Sequence, residues 1–206
     1  MAVLAEEVEE VADVSRSTTT VVQSSSRERS PHNIKVEIAS IKDANAMADV
    51  GARSFGSMIG QSVPDADLEV FMVANYTATA MTAELQDPGK LTLVAQTQDD
   101  EAIVGIVQLV RKQTDACLQG DAAEKCCLQK LYVDTSVHGK GVGTRLIGAL
   151  EGKARAEGFK EIWLTVWEEN SKAHMLYERL GYRKAGETRF SLGTVHQIDW
   201  VYLKAL

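Results

Sequence analysis

The sequence predicts a mixed α/β domain that follows a polar tail. Three observations lead to this prediction. Segments with the alternation typical of β-strands are interleaved with segments of helical periodicity from residue 33 to the C-terminus. Between residues 125 and 156 an apolar strand runs into a glycine-rich loop and then into an amphipathic helix. Finally, 45% of the 206 residues are apolar, which is enough to build the core of one domain.

Residues 1–32 differ in composition from the rest of the chain. The segment begins with several glutamates, and Ser15–Ser30 is rich in Ser and Thr and contains no aromatic residue. Such a segment cannot bury enough apolar area to offset the entropy lost on ordering. We therefore expect a disordered tail that ends near Pro31, with at most a short helix over Val3–Val14. The folded domain is expected over residues 33–206.

The first half of the domain is expected to alternate between strands and helices. The predicted elements are a strand over Ile34–Ala39, a helix that Asp43 caps and that ends near Phe55, a helix over Asp67–Glu84, and strands over Leu91–Gln96 and Ala102–Arg111. A loop over Gly56–Pro64 separates the two helices. The turn signal Asp87-Pro88-Gly89 precedes the two strands, which Gln98–Glu101 joins as a hairpin.

The second half begins with a polar loop over Gln113–Glu124. After it we predict a strand over Lys125–Val133, a helix from Gly141 to Ala156 and a strand over Phe159–Trp167. Asn170 is expected to cap a helix that runs to Leu180, and two last strands are expected over Thr188–Leu192 and Gln197–Leu203. Because the strand Phe159–Trp167 is apolar on both faces, we expect it at the centre of the sheet. Trp163 and Trp167 are expected in the core, and His174 and His196 at the surface.

The charge and the cysteines exclude several classes of protein. A net charge of -7 argues against a general binder of nucleic acids or anionic membranes, which usually carries a basic patch. The three cysteines match no zinc-site spacing and are expected to be reduced thiols. There is no apolar run of membrane-span length and no signal-peptide pattern. We therefore expect a cytoplasmic protein without a metal, a nucleic-acid partner or a membrane partner.

The glycine-rich loop His138-Gly139-Lys140-Gly141-Val142-Gly143 is the main candidate site. The first N–H groups of a helix lack internal partners, and glycines let a phosphate approach the backbone closely, so this loop can bind an anion. On spacing alone, the glycines can also simply form a tight turn. The spacing fits neither a nucleotide-triphosphatase loop nor a dinucleotide-binding Rossmann loop.

Two segments carry a resemblance to a known family. Gly141 and Gly143 match the two glycines of [Gln/Arg]-x-x-Gly-x-[Gly/Ala], with His138 in place of Gln or Arg. Farther along, Asn170-x-x-Ala173, Tyr177 and the pair Gly181-Tyr182 match a second segment. The chain thus resembles the GCN5-related N-acetyltransferase (GNAT) superfamily. The resemblance implies a GNAT fold, with a mixed, centrally splayed sheet of about six to seven strands flanked by helices. It also implies acetyl-CoA as cosubstrate and no metal.

The resemblance implies roles for individual residues. The expected cofactor-binding residues lie at the end of one strand, in the loop and at the start of two helices: Leu131, Tyr132, Val133, His138, Gly139, Lys140, Gly141, Val142, Gly143, Thr144, Asn170 and Ala173. Tyr177 takes the position of the acid that protonates the leaving thiolate, although its spacing alone indicates a core tyrosine. Cys127 stands where the family often has a glutamate base. The nearest carboxylates by sequence are Glu168 and Glu169, at the end of the neighbouring strand, and Glu168 is the predicted base.

Within the superfamily, the chain is most similar to PaiA-type spermidine/spermine acetyltransferases. The matching segments are Ser54-Phe55-Gly56, Leu164-x-Val166-Trp167-Glu168-x-Asn170, and Phe190-x-x-Gly193-x-x-x-Gln197-x-Asp199. This similarity implies a small-molecule primary amine, with a polyamine as one candidate, that attacks the thioester directly. The alternatives are an acetyltransferase for protein N-termini or lysines and a non-catalytic acetyl-CoA-binding module. A monomer or a homodimer is expected.

Overall fold

The computed structural model describes residues 33–59 and 63–206, so the tail predicted for residues 1–32 lies outside the described residues, as does the short helix over Val3–Val14. The described residues form one seven-stranded mixed sheet with five α-helices. This arrangement confirms the predicted fold class. None of the described helices has both the length and the apolar character needed to cross a bilayer.

The seven strands lie in the order β1-β2-β3-β4-β5-β7-β6. Their bounds are β1 Ile34–Ile38, β2 Lys90–Thr97, β3 Ile103–Arg111, β4 Lys125–Val133, β5 Glu161–Trp167, β6 Arg183–Leu192 and β7 Val195–Ala205. The helices are α1 Ala44–Ile59, α2 Asp65–Asn75, α3 Ala78–Gln86, α4 Val142–Ala156 and α5 Ser171–Arg179. Every neighbouring pair of strands is antiparallel except β4 and β5.

The structure corrects three of the predicted elements. The single helix predicted over Asp67–Glu84 is two helices, because the backbone leaves the helical conformation at Tyr76. The Thr77 side chain then caps α3 by accepting a hydrogen bond from the Ala80 amide at 3.2 Å. Helix α1 continues past Phe55 to the buried Ile59, so the predicted loop begins later. Strand β6 begins at Arg183 rather than at Thr188. The sequence did not indicate its first residues as a strand because they are mostly polar and exposed at the edge of the sheet. The other boundaries agree within two residues.

The two faces of the sheet carry separate apolar cores. One core packs α4 and α5 on strand residues such as Leu131 and Leu164. The opposite core packs α1 and residues of α2 and α3 on Val94, Ile106 and Tyr132. A smaller cluster around Cys127, Trp163 and Val201 continues that second face towards β7. Neighbouring residues of the central strands belong alternately to clusters on the two faces. Each side chain of these strands can therefore be assigned to one face of the sheet.

The sheet is splayed at its centre, as the resemblance implied. Strands β4 and β5 pair at three positions, Lys125↔Glu161, Cys126↔Ile162 and Cys127↔Trp163. From there to their C-terminal ends the described ladder between them stops, although each strand remains paired on its other side. A bulge in β4 at Lys130, where φ is 51°, accompanies this change by shifting the register with β3. The result is a gap between two parallel strands in the middle of the sheet.

A buried carboxylate joins α4 to the last strand. Glu151, whose side chain is 8% exposed, accepts from the Lys204 ammonium at 2.7 and 2.8 Å and from the Tyr182 hydroxyl at 3.0 Å. Its further pair with Arg155 spans 3.3 Å and involves a half-exposed guanidinium. The Lys204–Glu151–Tyr182 group therefore ties the helix that begins at the glycine-rich loop to the far half of the sheet.

We expect Glu151→Ala to lower the free energy of unfolding by about 3 kcal/mol, because it leaves a mostly buried ammonium and a buried hydroxyl without their acceptor. Urea unfolding monitored by circular dichroism measures this loss. The matched control is Arg155→Ala, which removes only an exposed partner and should cost less than about 1 kcal/mol. Equal losses in the two variants would show that the buried group is not what holds α4 to the sheet.

Candidate functional site

The glycine-rich loop is held at the end where it follows β4. Asp134, directly after β4, accepts from the Ser136 amide at 3.0 Å, from the Ser136 hydroxyl at 2.7 Å and from Arg53 of α1 at 2.9 Å. The His138 ring turns back on the strand, with Nε2 2.9 Å from the Val133 carbonyl oxygen. These contacts fix the direction in which the chain enters α4.

Two glycines give the loop its shape. Gly139 and Gly141 have φ angles of 70° and 75°, in the left-handed region that residues with a Cβ avoid. A Cβ added at either position would meet no atom within 4 Å, so both glycines border open space. Gly141 is also the N-cap of α4 and supplies no side-chain cap. The first N–H groups of α4 are therefore left for an external acceptor.

An open cleft of about 330 Å³ lies in front of this helix end. Eight of its lining residues lie between Val133 and Thr144, and the other three belong to α5: Lys172, Leu176 and Arg179. None of these lining residues is acidic. The positive end of the α4 dipole and two side-chain cations thus border the same space, which suits a ligand that carries several negative charges.

The cleft includes most of the cofactor-binding residues expected from the sequence. Val133, His138, Gly139, Gly141, Val142, Gly143 and Thr144 all line it. Leu131 and Tyr132 lie buried in the apolar cores of opposite sheet faces, and the Lys140 ammonium donates to the Ser136 carbonyl at 3.3 Å. The sequence analysis missed Lys172, Leu176 and Arg179. Their spacing of three to four residues from one another was the available signal, since it places them on one helical face.

Helix α5 is positioned by Asn170. The Asn170 side chain accepts from the Ala173 amide at 3.1 Å and so caps the helix. Ala173 is fully buried and, with Tyr177 one turn later, belongs to the core beneath α4. Asn170 and Ala173 therefore hold the helix that supplies one wall of the cleft, but they do not line the cleft themselves.

Tyr177 is a fully buried residue with an unsatisfied hydroxyl. Its ring packs edge-on against Tyr182 with 5.5 Å between the ring centroids, and it lies 6.4 Å from the ring of Tyr202. Within the described residues its hydroxyl has no hydrogen-bond partner. Burial raises the pKa of this phenol well above its usual value of 10, so it stays protonated. A buried hydroxyl without a partner is unfavourable in a folded protein, and a catalytic role is one explanation for its presence.

The two candidate positions for the base differ in burial. Burial raises the pKa of the Cys127 thiol to about 12, so Cys127 stays neutral at physiological pH. Glu168 is exposed directly after β5 and lines a second groove with Arg189, Ser191 and His196 rather than the cleft at the loop.

His174 is a correction to the sequence analysis. It is buried rather than at the surface, and its Nε2 donates to the Glu168 carbonyl oxygen at 3.1 Å, while its Nδ1 lies 3.0 Å from the Tyr202 hydroxyl. Its role is therefore to fix the end of β5 against α5. Among the described residues no group of three or more potential ligands is arranged to hold a metal ion.

Comparison with known proteins agrees with this geometry. A family model described as the acetyltransferase (GNAT) family matches residues 61–182, which is more than half of the chain. An uncharacterised N-acetyltransferase of Mycobacterium tuberculosis is 30% identical over 164 residues, covering 80% of this chain and 98% of the relative. A spermine/spermidine N(1)-acetyltransferase of Bacillus subtilis is 34% identical over 65 residues, covering 31% of this chain and 43% of the relative.

Among solved structures, a PaiA N-acetyltransferase of Thermoplasma acidophilum in complex with coenzyme A superimposes with a TM-score of 0.66. At 19% identity the match covers 84% of this chain and 99% of that one, and it shows the shared fold. The family match, the full-length relative and the loop–helix geometry agree with one another. The chain therefore belongs to the acetyltransferase (GNAT) family, and it is an N-acetyltransferase.

Proposed function

We propose that this enzyme binds acetyl-CoA in the cleft at the start of α4 and transfers its acetyl group to a primary amine of a small molecule. The observation that carries the proposal is the uncapped end of α4, bordered by Gly139 and Gly141 and facing Lys172 and Arg179 across the cleft. Acetyl-CoA supplies an activated acetyl group together with a pyrophosphate, and a phosphate is the ligand that such a helix end favours.

The residues that would hold the pyrophosphate do so mainly through the backbone. The amides of Val142, Gly143 and Thr144 belong to the first turn of α4 and are the natural donors. Replacement of the usual Gln or Arg by His138 is compatible with this proposal, because the His138 ring already contacts the Val133 carbonyl and the amides remain available. Lys172 and Arg179 would add charge on the opposite wall.

Tyr177 would donate its proton to the thiolate that leaves the acetyl group. A neutral phenol is required for this role, and burial keeps Tyr177 protonated. The unsatisfied hydroxyl supports the proposal, because the thiolate sulfur would give it the acceptor that the described residues do not provide. Polar donors held in place before the reaction stabilise developing negative charge without reorganisation.

An amine substrate is supported by the charge of the chain and by its relatives. The net charge of -7 favours a cationic partner, and the partly matching Bacillus subtilis relative is a spermine/spermidine acetyltransferase. The described structure contains no long insertion that would form a peptide-binding groove between the elements of the fold. A small alkyl amine, with a polyamine as the first compound to test, is therefore the proposed acceptor.

We expect Gly141→Val to abolish measurable binding of acetyl-CoA, because the valine would require a left-handed backbone and its side chain would project into the open space at the helix end. Isothermal calorimetry measures the affinity. Gly148→Val is the matched control: Gly148 is exposed on the same helix, away from the cleft, and a Cβ there also meets no atom within 4 Å. Unchanged affinity in a folded Gly141→Val protein would contradict the assignment of the loop.

We expect Tyr177→Phe to lower turnover by about 10²–10⁴-fold, the usual contribution of a general acid, with little change in the Michaelis constant for acetyl-CoA. The variant should be at least as stable as the wild type, since it loses a hydroxyl that has no partner. Steady-state kinetics and thermal melting measure both properties.

Tyr182→Phe serves as the control for this pair of measurements. The Tyr182 hydroxyl donates to Glu151 at 3.0 Å, so its removal should lower stability and leave turnover unchanged. If Tyr177→Phe keeps turnover within about twofold of the wild type while chemistry limits the rate, Tyr177 has only a packing role.

The substrate class is tested by thiol release from acetyl-CoA with a panel of acceptors. We expect turnover with an alkyl polyamine such as spermidine, at a rate that falls as ionic strength rises, because salt screens the attraction between a polycation and an acidic protein. The panel includes a neutral aryl amine and a lysine-containing peptide. Turnover of the peptide alone would identify a protein acetyltransferase, and acetyl-CoA binding without turnover of any acceptor would identify a non-catalytic module.

A further inference from the structure

A lysine occupies the bulge of β4 in a backbone conformation that lysine rarely adopts. Lys130 has a φ of 51°, and of the described residues other than glycine it alone has a positive φ inside a strand. Glu101 and Lys112, which also have a positive φ, lie outside the strands. Such a backbone is unfavourable for a residue with a Cβ, and it persists where surrounding contacts compensate for it. The contacts of Lys130 therefore decide what holds the bulge.

The Lys130 ammonium is held by residues of α2 and α3. It pairs with Glu84 of α3 at 3.1 Å and lies 3.5 Å from the carbonyl oxygen of Asn75, the last residue of α2. It also lies 5.1 Å from the centre of the Tyr76 ring. The last carbonyls of a helix and the face of an aromatic ring both carry negative partial charge and attract a cation. Since the Lys130 side chain is only 12% exposed, these contacts are formed largely out of water.

Glu84 is itself fixed in place by two strands on the far side of the bulge from the gap. Its Oε1 pairs with Lys90 of β2 at 3.2 Å, and Gln108 of β3 donates to its Oε2 at 3.1 Å. Gln108 is 1% exposed and also donates to the Thr92 hydroxyl at 3.3 Å. Glu84 therefore presents a fixed acceptor to the Lys130 ammonium.

A second contact joins the strand just beyond the bulge to the same helices. The hydroxyl groups of Tyr132 and Tyr76 are hydrogen-bonded to each other, and their rings meet edge-on with 5.7 Å between the centroids. Both residues are buried, and Tyr76 is the residue at which the backbone leaves α2. The break between α2 and α3 is thus attached to β4 at Lys130 and again at Tyr132.

The hydrophobic pattern of β4 requires a bulge but does not fix its geometry. Cys126 and Leu128 before the bulge, and Leu131 and Val133 after it, all belong to the core that packs α4 and α5 on the sheet. Strict alternation would place the second pair on the opposite face, so one extra residue must lie between the two pairs. The orientation of the backbone at that extra residue is left to the contacts of Lys130.

The bulge lies where β4 and β5 separate. The last paired position of the two strands is Cys127↔Trp163, and Val133, the last residue of β4, lines the cleft at the glycine-rich loop. The backbone from 128 to 133 therefore forms one side of the gap, from its closed end to the cleft. An acetyl-CoA bound by its pyrophosphate at α4 would extend its thioester arm into this gap. The line of the β4 backbone would then set the position of the thioester.

We propose that Lys130 and Glu84 are positioning residues for the thioester. This inference rests on the proposed function and adds to it an ion pair that touches neither the cofactor nor the acceptor. Helices α2 and α3 hold the Lys130 ammonium, the ammonium holds the bulge, and the bulge sets the line of the last β4 residues along the gap. Loss of the ion pair should therefore disturb the thioester end of the cofactor and leave its pyrophosphate end in place.

The test compares Lys130→Met with Lys90→Met, two variants that each remove one of the two cations paired with Glu84 and keep an unbranched side chain. Lys130 lies on the bulge, whereas Lys90 lies on β2, which does not border the gap. We expect Lys130→Met to lower kcat/KM for the best amine of the panel by about 10²-fold, the loss that a misplacement of about 1 Å can cause. Lys90→Met should keep kcat/KM within about threefold, because it leaves the contacts of the bulge in place.

Calorimetry with two ligands separates a positioning role from a structural one. Acetyl-CoA carries the thioester arm, whereas ADP carries a pyrophosphate and adenosine without the arm. We expect Lys130→Met to weaken acetyl-CoA binding about tenfold and to keep the ADP affinity within about twofold, since the start of α4 is unchanged. Should Lys130→Met fail to fold, Glu84→Gln replaces it with the same pattern expected, because it removes the charge and preserves the shape of the acceptor.

The outcomes separate this inference from the proposed function. If the variant keeps both kcat/KM and the acetyl-CoA affinity within about threefold of the wild type, or Lys90→Met shows the same losses, the positioning role is overturned and the proposed function stands. A parallel loss of acetyl-CoA and ADP affinity with a lower melting temperature would make the ion pair structural only. If the wild type binds neither ligand and acetylates no amine, the proposed function itself fails, and the positioning role fails with it.

Discussion

The incomplete pairing of β4 with β5 is the constraint on which the rest of the structure depends. Two parallel strands in the centre of a sheet normally hydrogen-bond along their whole length, whereas these two pair at three positions and then separate. The strands keep their directions because each is bonded on its other side, β4 to β3 and β5 to β7. The gap is thus held open by the two halves of the sheet. The backbone groups along it are available to an extended ligand, which a continuous ladder would exclude.

The helices on one face turn this gap into a charged cleft. Helix α4 begins after the loop that follows β4, and its positive end borders the same cleft as Val133, the last residue of β4. The Glu151 contact with Lys204 joins the same helix to β7, on the other side of the gap. The position of the proposed anion site therefore depends on a buried ion pair at Glu151, about two thirds of the way along the helix from that site. A change at Glu151 that loosens α4 should reach the loop through the helix, without any direct contact with the ligand.

The sequence was informative where the structure is local and uninformative where it depends on distant contacts. The loop, the Asn170 cap and the amphipathic α4 could be predicted because each follows from residues within one or two turns. The break between α2 and α3 could not, because apolar residues continue across Tyr76 and only the Thr77 cap marks it. The burial of His174 depends on Trp200 and Tyr202, which lie far along the chain. The burial of Asp199 likewise becomes evident only when β7 is placed beside β5.

The polar group to which we assign proton transfer is unfavourable for folding. Tyr177 is buried beneath α5, and its hydroxyl has no hydrogen-bond partner among the described residues. A group that delivers a proton to a leaving thiolate needs a hydroxyl that no acceptor within the protein already occupies. The same missing partner that costs stability therefore leaves the Tyr177 proton available for the proposed reaction.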